Sequence, residues 1–400
     1  MEKIQFLYVT VALFITLLCA CSSDESLVEA SSQSSFVESP FLVAIDEALD
    51  NADKMFALIG PPNTRSEREV VSVERLCKST RSAYPNDLTN GFYVVNYAND
   101  RGFAILSADR RIAPIFALSE EGSLHMEDTI RNMGLNWYIN ELMPELAKSS
   151  IKNPIDTTSY PFHPIDIPWS YYEKYSDPLL SGVLSKLHQE YPYNIYLNYQ
   201  LVGCGPLAVG TIMGYYEWPS TSEDYTFNWP LMKLDANNSG WARLFEILGR
   251  KEYLNVYPTP NSTLTFMSQE CMARTFSKMG YTGTKVTDFS LASIEKALKK
   301  NHPVIIDGSP NTMSNGHIWV IDGGYTTGYE ENQVSPNMEP RKIFLSYFHC
   351  VWGESGKGNG YYLYHDSSIG GSGDKSDSEA SCEVPIYKNL RICYGYLPVK

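Results

Sequence analysis

The sequence predicts an α+β fold in two units, with helices ahead of strands in the second, and three observations carry that expectation. Leu42, Ile45, Leu49 and Phe56 set a helical apolar spacing over Phe41–Leu58, and Phe92–Tyr97 and Gly102–Ser107 follow as strands joined by the turn residues 98–101. In the second half, a helix with Val209, Ile212, Met213 and Tyr216 at i, i+3, i+4 and i+7 precedes a run of strand candidates. Between the halves, Ser149 to Trp169 holds four prolines and little periodicity, the composition of a linker.

Length and charge bound the class. Four hundred residues suffice for about two domains. A net charge of -14 without any long basic run argues against a nucleic-acid partner. Twenty-eight tyrosines and 23 prolines suit a loop-rich protein outside the cytoplasm.

The amino terminus sets the expected compartment. Lys3 precedes an apolar run from Phe6 to Ala20, which is short for a membrane span and has the proportions of a signal peptide over residues 1–20. Its end, Leu18-Cys19-Ala20-Cys21, resembles the bacterial lipoprotein box, which implies lipidation at Cys21. A polar, serine-rich stretch then reaches to Pro40 as a tether over 21–40. The expectation is export, with a lipid anchor on the bacterial outer membrane or cell surface.

The first α+β unit occupies 41–150, and a further helix is expected from Met126 to Met143, ahead of Pro144. After the linker at 151–168, the unit 169–400 opens with helical and turn material to Asn194. It continues through the Cys204 helix, helices near 265–279 and 291–299, and strands at 303–307, 317–322, 342–348, 360–364 and 390–394. Glycine and serine crowd 353–381, which suggests long loops around the later strands.

Cys204 stands at the start of its helix, expected to bury one face, with Pro206 in the first turn and Gly203 and Gly205 permitting close approach to the sulfur. A thiol there meets unpaired amides and the positive helix end, which stabilise thiolate; a free cysteine is also a common packing residue. A cysteine nucleophile needs a base, and seven histidines are available. His317 stands out, because Asn315-Gly316 turns the chain into an apolar strand that fixes the ring at a strand mouth. The remaining cysteines show no CxxC or metal-finger spacing, so neither a metal nor an organic cofactor is implied. Cys382 and Cys393 have the option of pairing, which spacing alone does not decide.

Gln189 followed by Pro192-Tyr193-Asn194, then Gly203-Cys204 with its helix, Gly316-His317-Ile318-Trp319-Val320-Ile321-Asp322-Gly323, and Trp352-Gly353 stand in that order along the chain, and together they resemble the streptopain family of papain-like cysteine peptidases. Residues 102–111 are similar to that family's propeptide, so the likeness covers most of the chain after Pro40. It implies a papain-like peptidase domain at 169–400 behind a small α+β propeptide domain at 41–150. It implies Cys204 as nucleophile, His317 as general base and then acid, Gln189 as the oxyanion-hole donor, and Trp352 as a shield beside the imidazole. The partners implied are protein or peptide substrates, the chain's own propeptide and, through the lipid, a membrane. Two positions depart from the family pattern: Val351 stands where asparagine is common before the tryptophan, and Glu354 stands where a second tryptophan is common. Those departures favour a rival, a catalytically impaired relative that binds peptide or protein.

Overall fold

The computed structural model describes residues 41–59, 68–76, 91–126, 130–152, 169–198, 200–223, 225–256, 269–308, 316–331, 341–366, 387 and 390–399. The signal peptide, Cys21 and its tether, most of the linker, Cys77, His163 and Cys382 lie outside the described residues. All that is described belongs to one compact unit, 39–400.

The amino-terminal half supplies α1 (Ile45–Ile59) and strands β1 (Val70–Leu76), β2 (Phe92–Tyr97), β3 (Phe103–Ser107) and β4 (Ile115–Ser119). It then gives a continuous helical run: α2 (Met133–Trp137), a π turn (Tyr138–Leu142) and α3 (Met143–Lys152). The expected helix over 126–143 is corrected here, since it starts later and runs on through Pro144. Proline has no amide and would leave an unmet carbonyl in the preceding turn. The wide turn, in which the Met143 amide reaches back to the Tyr138 carbonyl, places that irregularity at the joint.

The second half opens with β5 (Trp169–Ser176), which the sequence reading took for helical and turn material. Its residues are extended because β11 offers them a partner far along the chain. Next come α4 (Cys204–Tyr216), the hairpin β6 (Thr221–Ser222) and β7 (Tyr225–Thr226), α5 (Trp229–Leu234), α6 (Ser239–Gly249) and α7 (Gln269–Lys278). Then follow β8 (Tyr281–Thr282), β9 (Lys285–Asp288), α8 (Leu291–Leu298), β10 (Val304–Gly308), β11 (His317–Glu331), β12 (Arg341–Val351), β13 (Gly360–Asp366), β14 (Leu390–Tyr394) and β15 (Leu397–Pro398).

One antiparallel sheet joins the two halves in the order β1-β2-β3-β4-β13-β12-β11-β10-β14-β9. The join is β4 against β13, with Ser119 opposite Gly360. β11 pairs β12 along one edge; along the other it pairs β10 near His317 and β5 further on.

Alternation along these strands divides the interior into two cores. Val304, Ile306, Trp319, Ile321 and Trp352 face one core with Leu135, Trp137 and Leu142 of the α2–α3 run. Ile305, Ile318, Val320 and Val351 face the other, with α4 and α6. α4 was expected to bury one face; instead every residue from Gly205 to Gly214 is buried. The reason is that α6 packs against it on the side away from the sheet: methyl groups added to Gly210 or Gly214 would meet Phe245 at 2.6 Å and Trp241 at 2.6 Å. The helix ends at Glu217, a left-handed cap with φ 53°, just before Trp218-Pro219.

Candidate active site

Cys204 is the first residue of α4, preceded by Gly203 at φ +88°, a conformation that L side chains adopt only under strain. Amides of Ile318, Gly205 and Cys204 itself point at the sulfur. They hold its proton affinity down, as expected of a helix start, but burial outweighs them, and with the Asp307 carboxylate it pushes the thiol up to about 11. The expected thiolate is therefore replaced by a neutral thiol in this form of the protein.

His317 opens β11 and is 1% exposed. Its Nε2–H donates to the Trp352 carbonyl at 2.9 Å, which fixes the neutral tautomer, while Nδ1 is buried without a hydrogen-bond partner among the described residues. Burial pulls the imidazole down to about 4 despite that carbonyl. The ring stacks over Trp319 at 6.1 Å, on the sheet face opposite the Ile318 side chain. Ile318 and Cys204 belong with the α4 core, whereas Trp319, on which the imidazole stacks, belongs to the other core.

What occupies the histidine's face is the amino-terminal half. Gly134, in α2, sits so close that a methyl group there would lie 2.3 Å from Trp352 Cε3 and 2.7 Å from His317 Cδ2. Trp137, one turn on, packs against Trp319 at 5.4 Å. The α2 cap ties down the same region: Asn132 Oδ1 accepts from Leu135 N at 2.9 Å, and its Nδ2 donates to the Lys357 carbonyl at 3.2 Å.

Trp352 is fully buried, its indole N–H donating to the Gly358 carbonyl at 2.9 Å and its amide to Asn359 Oδ1 at 3.1 Å. Val351, buried and paired with Val320, faces the α4 core and offers His317 nothing. Among the described residues, the one hydrogen bond of the imidazole is thus the one it donates to a backbone carbonyl. Gln189 is half-buried, and its carbonyl accepts from Val202 N at 3.0 Å, which brings that turn to within two residues of Cys204 along the chain. An antiparallel bridge between His188 and Glu354 flanks it. Burial, with Glu190 nearby, lifts the Glu354 carboxyl to about 7.

Among the other described histidines, His125 meets Glu74, His302 meets Tyr216 and His365 meets Tyr387. Cys350 and Cys393 are buried free thiols. The sequence reading missed Gly134, Asp307 and the buried pair of His349 with Asp322. An Asp closing the apolar strand 304–306 was a visible signal for the second; a glycine in Met-Gly-Leu gives none for the first.

A thiol stands at a helix start, an imidazole opens a strand, and an amino-terminal segment is lodged against that imidazole, a layout of the kind a cysteine peptidase precursor has. Residues 187–362 match the family model of the Peptidase C10 family, and residues 40–142 match that of the Spi protease inhibitor. The resemblance read from the motifs is thus shown: a C10-type, or streptopain-type, peptidase segment at 187–362 stands behind a Spi-type segment at 40–142. No curated protein matches it. Among solved structures it is similar to a Prevotella intermedia prointerpain A fragment bearing a cysteine-to-alanine mutation. That likeness has TM-score 0.51 and 17% identity, over 82% of this chain and 99% of that one, a likeness of fold.

Proposed function

We propose that the protein is exported, anchored through a lipid on Cys21, and made as the zymogen of a cysteine endopeptidase whose nucleophile is Cys204. The observation that carries the reading is the seat of Gly134 on His317 and Trp352, which lodges the amino-terminal segment against the imidazole. Departure of the 41–150 segment, by cutting within 151–168, frees His317 to turn toward the sulfur. Proton transfer from thiol to imidazole then gives the ion pair. Thiolate attacks the peptide carbonyl; the oxygen that gains charge is met by the Cys204 amide and the Gln189 side chain. Imidazolium protonates the departing amine, leaving an acyl-thioester, and water activated by the same imidazole releases the acid and restores the thiol. Trp352 walls the imidazole from water, and its carbonyl is the group at hand to orient the ring in place of the asparagine that Val351 replaces.

Val351 also favours a second reading, a catalytically impaired relative that binds peptide or protein. A peptide epoxide that alkylates activated thiols separates the two. Labelling at Cys204 by mass spectrometry after activation supports the peptidase, and an unlabelled Cys204 in a cleaved, folded protein supports the binding protein.

A further inference from the structure

A chain of hydrogen bonds runs from the imidazole to the turn that leads to Gln189, and Asn359 is its middle link. His317 Nε2–H donates to the Trp352 carbonyl at 2.9 Å, and Trp352 gives its own amide to Asn359 Oδ1 at 3.1 Å. The other end of that side chain, Nδ2, donates to the Ser185 carbonyl at 2.9 Å. Ser185 sits in a single 3-10 turn, Leu184–Lys186, a few residues ahead of Gln189. One side chain thus ties the segment holding the imidazole's acceptor to the segment holding the oxyanion-hole candidate. The bridge between His188 and Glu354 joins the same two segments a second time.

The place selects a carboxamide. Asn359 is 6% exposed, so a polar group left unpaired there is costly. The Trp352 amide demands an acceptor and the Ser185 carbonyl demands a donor, and asparagine supplies both from one planar group. Neither bond involves the amino-terminal half, so neither depends on its presence. That half meets Asn359 through backbone instead: Glu120 N and Ser119 Oγ donate to the Asn359 carbonyl at 2.9 and 3.1 Å. With Val351 turned into the α4 core, the Trp352 carbonyl aims the ring, and a carbonyl aims only as well as its own backbone is held. On the carboxyl side of Trp352, Gly353 at φ +80° packs so tightly on Leu207 of α4 that a methyl there would lie 2.6 Å from it. Asn359 holds the amide side.

We propose that Asn359 is a positioning residue of the site: it fixes the Trp352 backbone whose carbonyl orients His317 and keeps that backbone in register with the turn leading to Gln189. The inference rests on the peptidase reading above and adds to it a residue that acts through Trp352.

The test compares wild type, Asn359→Ala and Asn359→Asp, each made as the full chain and cut in the linker by immobilised wild-type enzyme that is then removed. Active sites are counted by exhaustive reaction with the peptide epoxide, so that kcat refers to competent molecules alone. Asn359→Ala loses both ties, whereas Asn359→Asp keeps the acceptor for Trp352 and gives up the donor for Ser185. Expected in Asn359→Ala is a kcat lower by roughly tenfold to a hundredfold with KM within about threefold of wild type. In Asn359→Asp kcat should return to within about threefold of wild type although Tm falls in both variants. Asn359→Ser, whose hydroxyl is too short to reach the Trp352 amide, takes the place of an alanine variant that does not fold and carries the same expectation. A wild-type kcat in Asn359→Ala or Asn359→Ser, or a kcat that falls equally in the aspartate variant and follows Tm, overturns the inference while Cys204 labelling of wild type keeps the peptidase reading standing. Neither cleavage nor labelling by wild type overturns both.

Discussion

His349 Nε2 lies 3.8 Å from a carboxylate oxygen of Glu120, across the join between the Spi-type segment and the peptidase half. On its other side, His349 Nδ1 is 2.5 Å from Asp322 Oδ1, and the second oxygen of that buried Asp322 accepts from Leu180 N at 2.7 Å. The Tyr361 ring packs edge-on to His349, and Arg68 acts on Glu120 from the amino-terminal half. Burial alone would pull His349 down, but Asp322 and Glu120 outweigh it and raise the imidazole to about 10. Burial likewise pushes Glu120 up, and His349 and Arg68 reverse that, leaving its carboxyl below the usual range.

These shifts give the precursor a pH window. Glu120, held low, contributes stability that is present above its ordinary value of 4.5 and lost as pH falls through its lowered one. His349, held high, contributes fully below 6.5 and loses that contribution as pH rises toward about 10. The precursor is predicted to be most stable between these limits, and Glu120→Gln to flatten the acid side of its Tm-against-pH curve. Because the Glu120 side chain is 51% exposed, the effect is a few degrees at most and shrinks with salt. Superimposable curves for the two proteins would remove the contact from the account.

Gly134→Ala tests the wedge. The added methyl has no room beside Trp352 and His317, and relieving that overlap costs about 1–3 kcal/mol, borne by the seat of α2. The variant precursor is predicted to lose latency, with peptide hydrolysis measurable before any chain shortening on a gel. Full latency at an unchanged Tm would show that α2 does not hold the site closed.

Gln189→Ala should lower kcat by roughly a hundredfold to a thousandfold. Stability should hardly move, since the hydrogen bond that fixes this turn uses the backbone carbonyl. A wild-type rate in the folded variant would take Gln189 out of the oxyanion hole.

Cys21→Ser should shift the protein from the membrane fraction to the soluble one or leave its leader uncut. Palmitate incorporation equal to wild type would refute lipidation at that residue.

Much of the candidate site was legible because its signals are local. Gly203 before Cys204, the turn before His317 and the Trp352-Gly353 pair each state a backbone need within a few residues. β2, β3, β13 and β14 announced themselves by composition. β5 did not, since Trp169-Ser170-Tyr171-Tyr172-Glu173-Lys174 alternates poorly and is extended only against β11. The burial of α4 on all sides follows from α6, which no local pattern near Cys204 encodes. The same holds for the imidazole's position: the motif named His317, but only tertiary packing against Gly134 decides which face of the sheet it takes.

The central claim is that Cys204 cuts peptide bonds once the amino-terminal segment leaves, and self-processing tests it most directly. Purified full-length precursor and its Cys204→Ala variant, which removes the sulfur and little volume, are incubated side by side and followed by mass spectrometry. The account predicts that wild type shortens to a fragment beginning within 151–168 as activity rises. The variant should stay full length alone yet be cut there by added active enzyme, because proteolysis concentrates in linkers rather than in packed elements. Self-processing of Cys204→Ala at the wild-type rate, or no cleavage of either protein, would contradict it.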